Sequence, residues 1–112
     1  MKKIIIIIVF AITGFSVQAQ QKNKNAKYDI AVNGNCEQCK KRIEKAAFTV
    51  PGVKSANWNI DDHILHLILN EQKNSIIDVK KAVAKAGHDT DEVIATSEDY
   101  ENLHSCCKYR TK

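Results

Sequence analysis

From residue 28 onward, the spacing of apolar residues switches between the strand period of two and the helix period of 3.6, and it does so twice. Alternation over residues 28–32 predicts a strand, and helical spacing from Glu37 predicts an amphipathic helix that residues 50–52, Val-Pro-Gly, bring to an end. Residues 53–60 and 63–69 predict two further strands, which a turn at the intervening Asp pair joins into a hairpin. The first half of the domain is therefore strand, helix and hairpin.

The second helix follows the hairpin. Ser75 is its expected N-cap, with Asp78 as the reciprocal partner in a variant of the capping box, and Gly87 supplies a left-handed ending. Residues 93–95 predict a short fourth strand. The order strand, helix, strand, strand, helix, strand predicts an α+β, ferredoxin-like βαββαβ sandwich, in which a four-stranded antiparallel sheet carries both helices on one face.

Apolar faces predict the core of this sandwich. Leu65, Leu67 and Leu69 alternate along the third predicted strand and are assigned to the buried face, whereas Ile64 and Ile68 form an exposed apolar stripe unless something covers it. The helices and the second strand contribute the other expected core residues, namely Cys39, Ile43, Ala46, Ala47, Ile76, Val79, Val83, Ala86, Ala56, Trp58 and Ile60.

Length and charge exclude several classes of protein. With 112 residues the chain supports one domain of ordinary size, so a multidomain enzyme is excluded. The 17 basic and 13 acidic residues give a net charge of only +4, and the basic residues are dispersed. We therefore expect no nucleic-acid partner and no attraction to an anionic membrane surface.

The N-terminus predicts export. Two lysines precede an apolar run over residues 4–15, and residues 17–19 end in a small residue, so residues 1–19 are interpreted as a signal peptide. The apolar run is shorter than the roughly 20 residues that cross a bilayer, so no permanent membrane anchor is expected. We predict a flexible leader over residues 20–26, a domain over 27–96 and a tail over 97–112, in a protein secreted across the inner membrane into the periplasm.

Cys36 and Cys39 carry the clearest chemical signal. They lie three residues apart where a loop turns into a helix, whose N-terminal amides, with Lys40 and Lys41 nearby, favour thiolate over thiol. Thiolates select soft ions, so we predict binding of Cu(I), with Hg(II), Cd(II) and Zn(II) as alternatives. A site with only two protein ligands leaves the ion accessible to thiolates of another protein, which suits transfer of the ion to that protein.

A Cys-x-x-Cys pair leaves two alternatives open. It could act in a thiol-disulfide oxidoreductase, with Cys36 as nucleophile and Cys39 as resolving thiol, or it could be a disulfide in a structural domain. Against the enzyme, Asn35 rather than an aromatic residue precedes the motif, and the sole proline, Pro51, lies at a helix end. We therefore predict a non-enzymatic protein.

Three segments give the chain a family resemblance. Residues 33–39 (Asn-Gly-Asn-Cys-Glu-Gln-Cys), 50–53 and 85–89 resemble the heavy-metal-associated domain family, which includes copper chaperones, modules of metal-exporting P-type ATPases and the periplasmic mercury-binding protein. The resemblance implies the βαββαβ fold and metal binding by Cys36 and Cys39. It also implies a metal transporter or metal-receiving domain as partner, for a monomer or a metal-bridged dimer. Where the family commonly has Met two residues before the first Cys, this chain has Gly34.

Four other residues are candidate auxiliary ligands. His88 follows the second helix, near the metal loop in the family, and could supply a third ligand. His104, Cys106 and Cys107 form either a second soft-metal set or a tail that folds back onto Cys36 and Cys39; the alternative is a tail whose cysteines oxidise. His63 and His66 are three apart on a strand and face opposite sides, so they are not expected to chelate together.

Overall fold

The computed structural model describes residues 22–110. The predicted signal peptide, residues 1–19, and the first two residues of the predicted leader lie outside the described residues. Within residues 22–110, no helix has both the length and the apolar character needed to cross a bilayer.

Three strands and three short helices make up the described chain, and a final 3₁₀ turn follows them. In order they are β1 (Ala26–Ala31), α1 (Glu37–Phe48), β2 (Val53–Trp58), β3 (Ile64–Leu69), α2 (Ile76–Lys85), α3 (Ser97–Glu101) and the 3₁₀ helix (Ser105–Cys107). The sheet has the order β1-β3-β2, and both pairings are antiparallel. Strand β1 begins two residues earlier than the alternation predicted, at Ala26.

The fourth strand predicted over residues 93–95 does not form, so the four-stranded sheet is a wrong prediction within the described part of the chain. Only Thr90 reaches the sheet, in an isolated antiparallel bridge to Val32. The backbone groups that a strand would need are already bonded locally. The Thr90 hydroxyl accepts the amide of Val93, and the Asp89 carboxylate accepts the amide of Ala95. A turn therefore replaces the strand.

The core lies between the leucine face of β3 and the two longer helices, as the spacing predicted. Leu65, Leu67 and Leu69 are buried in one cluster with residues of α1 and α2. The predicted buried face of α1 is confirmed, since Cys39, Ile43, Ala46 and Ala47 are its buried residues. On the other sheet face, Ile64 and Ile68 are half-buried rather than exposed.

The segment predicted as a tail packs onto the same core. Tyr100, Leu103 and Cys107 are all buried, and they belong to the main hydrophobic cluster. The contact depends on Gly87, which ends α2 with a φ of 108°. A Cβ at position 87 would lie 2.7 Å from Leu103 Cδ2, so the glycine provides both the left-handed turn and the space for the returning chain.

Candidate metal centre

The Cys-x-x-Cys loop lies between the end of β1 and the start of α1. Cys36 is the N-cap residue of α1 with extended backbone, and Cys39 lies in the first helical turn. Their Sγ atoms are 3.5 Å apart, and neither is in a disulfide. Cys39 is fully buried while Cys36 is half-exposed. The expectation that the two sulfurs converge at the mouth of the first helix is confirmed.

Trp58 and Gly34 together set the position of this loop. The fully buried indole donates its Nε1–H to the carbonyl oxygen of Val32 at 3.0 Å. A Cβ at position 34 would lie 3.1 Å from two atoms of the Trp58 ring and 3.1 Å from Cys39 Cβ. The ring therefore occupies the space that a side chain at position 34 would need, and glycine fits there.

The C-terminal 3₁₀ helix brings two more thiols to the loop. Cys36 Sγ lies 3.7 Å from Cys106 Sγ and 3.6 Å from Cys107 Sγ, and the two tail sulfurs are 3.9 Å apart. All three ligand atoms lie within 4.8 Å of one another. Cys106 is exposed and Cys107 is fully buried. Cys36 is therefore the thiol that contacts every other cysteine of the chain.

Electrostatics single out Cys36 as the thiolate of this group. Burial opposes its ionisation, but the backbone amide of Cys39 and the neighbouring thiols hydrogen bond to its sulfur and lower the pKa of Cys36 to about 7. Burial, followed by the sulfurs of Cys39 and Cys36, raises the pKa of Cys107. The bond to Cys36, followed by burial, raises the pKa of Cys106. Of Cys36, Cys106 and Cys107, Cys36 is therefore the thiol that ionises most readily.

The basic residues after Cys39 contribute less to this site than the sequence suggested. The Lys40 ammonium is paired with Glu44 at 2.6 Å and donates to the carbonyl oxygen of Trp58. Arg42 donates from Nε to the carbonyl oxygen of Ala86. Lys41 alone of the three is exposed. Through these contacts Lys40 ties α1 to β2, and Arg42 ties α1 to the end of α2.

The histidines do not join the sulfur cluster. His88 is buried and its Nδ1 lies 2.8 Å from the carbonyl oxygen of Asn33, so it supports the loop from behind. Burial is the main cause that lowers the pKa of His88, so the ring is neutral at pH 7. His104 is exposed beside Cys107. His63 stacks on Trp58, and His66 pairs with Asp29 on the open sheet face.

The residues that hold the tail in place were missed by the sequence reasoning. Tyr109 donates its hydroxyl to the carbonyl oxygen of Gly87 at 2.7 Å and accepts the Asp89 amide at 2.7 Å. The one sequence signal for this packing is the helix-like spacing of three apolar residues, Tyr100, Leu103 and Cys107, at positions i, i+3 and i+7.

Comparisons with known proteins agree with this geometry. Residues 24–89 match the model of the heavy-metal-associated domain. Over 61 residues, 54% of this chain and 90% of the relative, the sequence is 33% identical to the copper chaperone CopZ of Staphylococcus epidermidis.

Two solved structures extend the comparison. The N-terminal domain of a potential copper-translocating P-type ATPase from Bacillus subtilis, in its Cu(I)-loaded state, has 30% identity and a TM-score of 0.56, over 59% of this chain and 84% of that domain. Oxidized MerP from Ralstonia metallidurans has 24% identity and a TM-score of 0.56, over 59% of this chain and 93% of MerP, and it shows the fold alone.

Proposed function

The chain belongs to the heavy-metal-associated domain family, and we propose that it captures a thiophilic ion, Cu(I) foremost, at Cys36 and Cys39 and transfers it to a second thiolate-bearing domain. The observation that carries this proposal is the approach of the two sulfurs to 3.5 Å at the N-terminus of α1. Two relatives with at least 30% identity are a copper chaperone and a domain solved with Cu(I), which supports copper as the cargo. Such relatives are metal-binding proteins rather than enzymes.

The chemistry of the transfer is ligand exchange. Cys36 ionises readily because its pKa is about 7, and any proton still carried by the two coordinating sulfurs passes to solvent as the ion binds. An incoming thiolate then forms a metal–sulfur bond as one bond to Cys36 or Cys39 breaks. No electron changes hands, so Cu(I) remains Cu(I) throughout, and no co-substrate is needed.

We propose that this takes place outside the cytoplasm, in the periplasm, after residues 1–19 direct export. The charged start, apolar run and small residue at position 19 support this part of the proposal. The receiving partner would be a metal transporter or another soft-metal domain, and the chain would act as a monomer. Fractionation of cells that express the full chain, with N-terminal sequencing of the product, tests export; a cytoplasmic protein that retains Met1 would contradict it.

Anaerobic titration of the reduced chain with Cu(I), in competition with a chromophoric Cu(I) chelator, tests capture. We expect one tightly bound Cu(I) per chain by native mass spectrometry and loss of that complex in Cys36→Ser. The matched control is His66→Gln, because His66 is an exposed imidazole on the open face of the sheet, away from the two sulfurs. A reduced, folded chain that takes up no Cu(I) would contradict the proposal.

Transfer has its own measurement. Because associative exchange includes the acceptor in the rate-determining step, the rate of Cu(I) loss should rise with the concentration of an acceptor dithiol. A rate that does not depend on the acceptor would mean spontaneous dissociation and would contradict transfer by ligand exchange.

A further inference from the structure

The two thiols of the C-terminal 3₁₀ helix have no place in a two-cysteine metal loop, yet they lie against it. Cys106 and Cys107 are 70 and 71 residues away from Cys36 in sequence, and their sulfurs are 3.7 and 3.6 Å from its sulfur. The Asn35 side-chain amide, in the metal loop itself, donates to the carbonyl oxygen of Cys106 at 3.3 Å. The loop and the tail therefore form one structural unit.

The sulfur triangle has the dimensions of a three-coordinate soft-metal site. With edges of 3.6, 3.7 and 3.9 Å, its circumscribed radius is about 2.2 Å, the mean edge divided by √3, against about 2.3 Å for a typical metal–thiolate bond. A linear two-sulfur complex instead needs sulfurs about 4.6 Å apart, twice that bond length. The Cys36–Cys39 separation of 3.5 Å is closer to the edges of this triangle than to the span of a linear complex, so these two sulfurs must move apart by about 1 Å to hold an ion linearly.

Protein contacts on either side of Cys106 and Cys107 hold the tail in place. Leu103 is buried beneath Gly87, and Tyr109 bonds both the carbonyl of Gly87 and the amide of Asp89. Arg110 donates to the Asp89 carboxylate and to the carbonyl oxygen of Ala95, each at 2.8 Å. Anchors therefore lie on both sides of Cys106 and Cys107, and little ordering entropy remains to be lost when an ion binds.

We propose that Cys36, Cys106 and Cys107 form a three-thiolate site that takes over Cu(I) from the Cys36–Cys39 pair and retains it. This inference rests on the capture function proposed above. Cys36 stays bonded to the ion during the handover. The bond to Cys39 breaks and its sulfur takes up one proton, while the bonds to Cys106 and Cys107 form with release of their two protons, so that one proton in all passes to solvent. A receiving domain must then displace the tail thiolates, so the tail slows release and increases affinity.

The role of Cys39 distinguishes this site from the two-cysteine arrangement. If the tail completes the site, Cys39→Ser retains Cu(I) in the parent chain, whereas Cys36→Ser removes a ligand of both sites and lowers the Cu(I) affinity most. In a Cys106→Ser/Cys107→Ala background, Cys39→Ser should lose Cu(I) as well, because only Cys36 would remain. Alanine is used at position 107 because this residue is fully buried and alanine adds no polar group there.

Chelator competition and sulfur coordination numbers from X-ray absorption are the two readouts. We expect three sulfur neighbours around Cu(I) in the parent chain and two in Cys106→Ser/Cys107→Ala. Affinity should fall in that variant by about a hundredfold, the lower end of what an intramolecular second binding element contributes. Ser105→Ala is the matched control, because Ser105 is an exposed neighbour of the pair and its loss should leave both readouts unchanged.

Three outcomes separate the inference from the capture function. Equal Cu(I) affinity and two sulfur neighbours in the parent and in Cys106→Ser/Cys107→Ala would overturn the tail site and leave capture intact. Complete loss of Cu(I) in Cys39→Ser, with a folded circular dichroism spectrum, would also overturn the tail site. No Cu(I) in any variant, the parent included, would overturn both.

Discussion

Arg110 and Asp89 form a bidentate ion pair, in which Arg110 Nη2 lies 2.8 Å from one carboxylate oxygen and Nε lies 3.3 Å from the other. Asp89 is the last residue of the segment that matches the heavy-metal-associated domain, and Arg110 is the last residue that the structure describes. The pair therefore joins the end of the matched segment to the chain that follows it, which carries Cys106 and Cys107 between residues 89 and 110.

Asp89→Asn should destabilise this attachment in a pH-dependent way. Burial opposes ionisation of Asp89, but Arg110 and the Ala95 amide bond to the carboxylate and hold its pKa below the ordinary value of 3.8. The stabilisation is therefore fully present above pH 3.8 and is lost as pH falls through the lower folded pKa. At pH 7 we expect a loss of about 2 kcal/mol in the free energy of unfolding, since a charged, buried hydrogen bond is removed.

Urea unfolding followed by the fluorescence of Trp58, the one tryptophan of the chain, measures this loss. The difference between parent and variant should shrink below pH 3.8. Asp61→Asn, at an exposed turn residue, is the control and should change little. A difference that stays constant down to pH 2 would show that the carboxylate charge is not what stabilises the attachment.

Tyr109→Phe tests a neutral anchor of the same segment. The hydroxyl both donates to the Gly87 carbonyl oxygen and accepts the Asp89 amide, so its removal leaves two backbone groups without these partners. We expect a cost of about 1–3 kcal/mol in unfolding free energy. Hydrogen exchange at the Asp89 amide should accelerate more than at amides of β3. Uniform acceleration across the sheet would instead indicate a global loss of stability without a specific effect on the tail.

The sequence predicted those parts of the fold that depend on local periodicity. The buried face of α1 and the leucine face of β3 follow directly from spacings of 3.6 and two, and the Cys36–Cys39 pair follows from its place at a helix start. The prediction of a fourth strand was wrong because side chains accept the backbone amides that the strand would use. The Thr90 hydroxyl accepts the Val93 amide, and the Asp89 carboxylate accepts the Ala95 amide. The alternation of apolar and polar residues does not show that side chains compete with a neighbouring strand for these backbone amides.

The tail was less predictable because its packing depends on contacts between distant residues. The contacts of the tail are with the turn at Gly87 and with Asp89, and they are made by Leu103, Tyr109 and Arg110. The local sequence pattern near residue 109 does not predict contacts with residues about 20 positions earlier. The convergence of Cys106 and Cys107 on Cys36 follows from this packing. The positions of the four cysteines in the sequence were equally compatible with a tail that folds back onto Cys36 and with a tail whose cysteines oxidise.

Gly34→Ala should weaken metal binding through steric pressure on the loop. Its Cβ would lie 3.1 Å from the Trp58 ring and from Cys39 Cβ, so the loop or the ring must move. We expect a loss of about 2 kcal/mol in unfolding free energy, as for other overpacked sites, and a lower Cu(I) affinity. Adding Trp58→Phe removes the ring atoms nearest to position 34 and should restore part of the affinity.

Asn33→Ala is the control for the loop, because this exposed side chain precedes the glycine. Both unfolding by circular dichroism and Cu(I) competition should distinguish it from Gly34→Ala. Unchanged Cu(I) affinity in Gly34→Ala would contradict the idea that the ring sets the position of the two sulfurs.

The lowered pKa of Cys36 should be visible in alkylation kinetics of the metal-free chain. Since the pKa of Cys36 is about 7, its reaction with iodoacetamide should rise through pH 7, while Cys106, whose pKa is raised above the ordinary 9.0, reacts only at higher pH. Site-resolved mass spectrometry of partly labelled chain gives both profiles in one sample, so Cys106 serves as the internal control.

In Cys106→Ser/Cys107→Ala the Cys36 profile should move to higher pH, because two thiols that hydrogen bond to its thiolate are gone. If the alkylation rates of Cys36 and Cys106 both rose near pH 9, the pKa of Cys36 would not be lowered relative to that of Cys106.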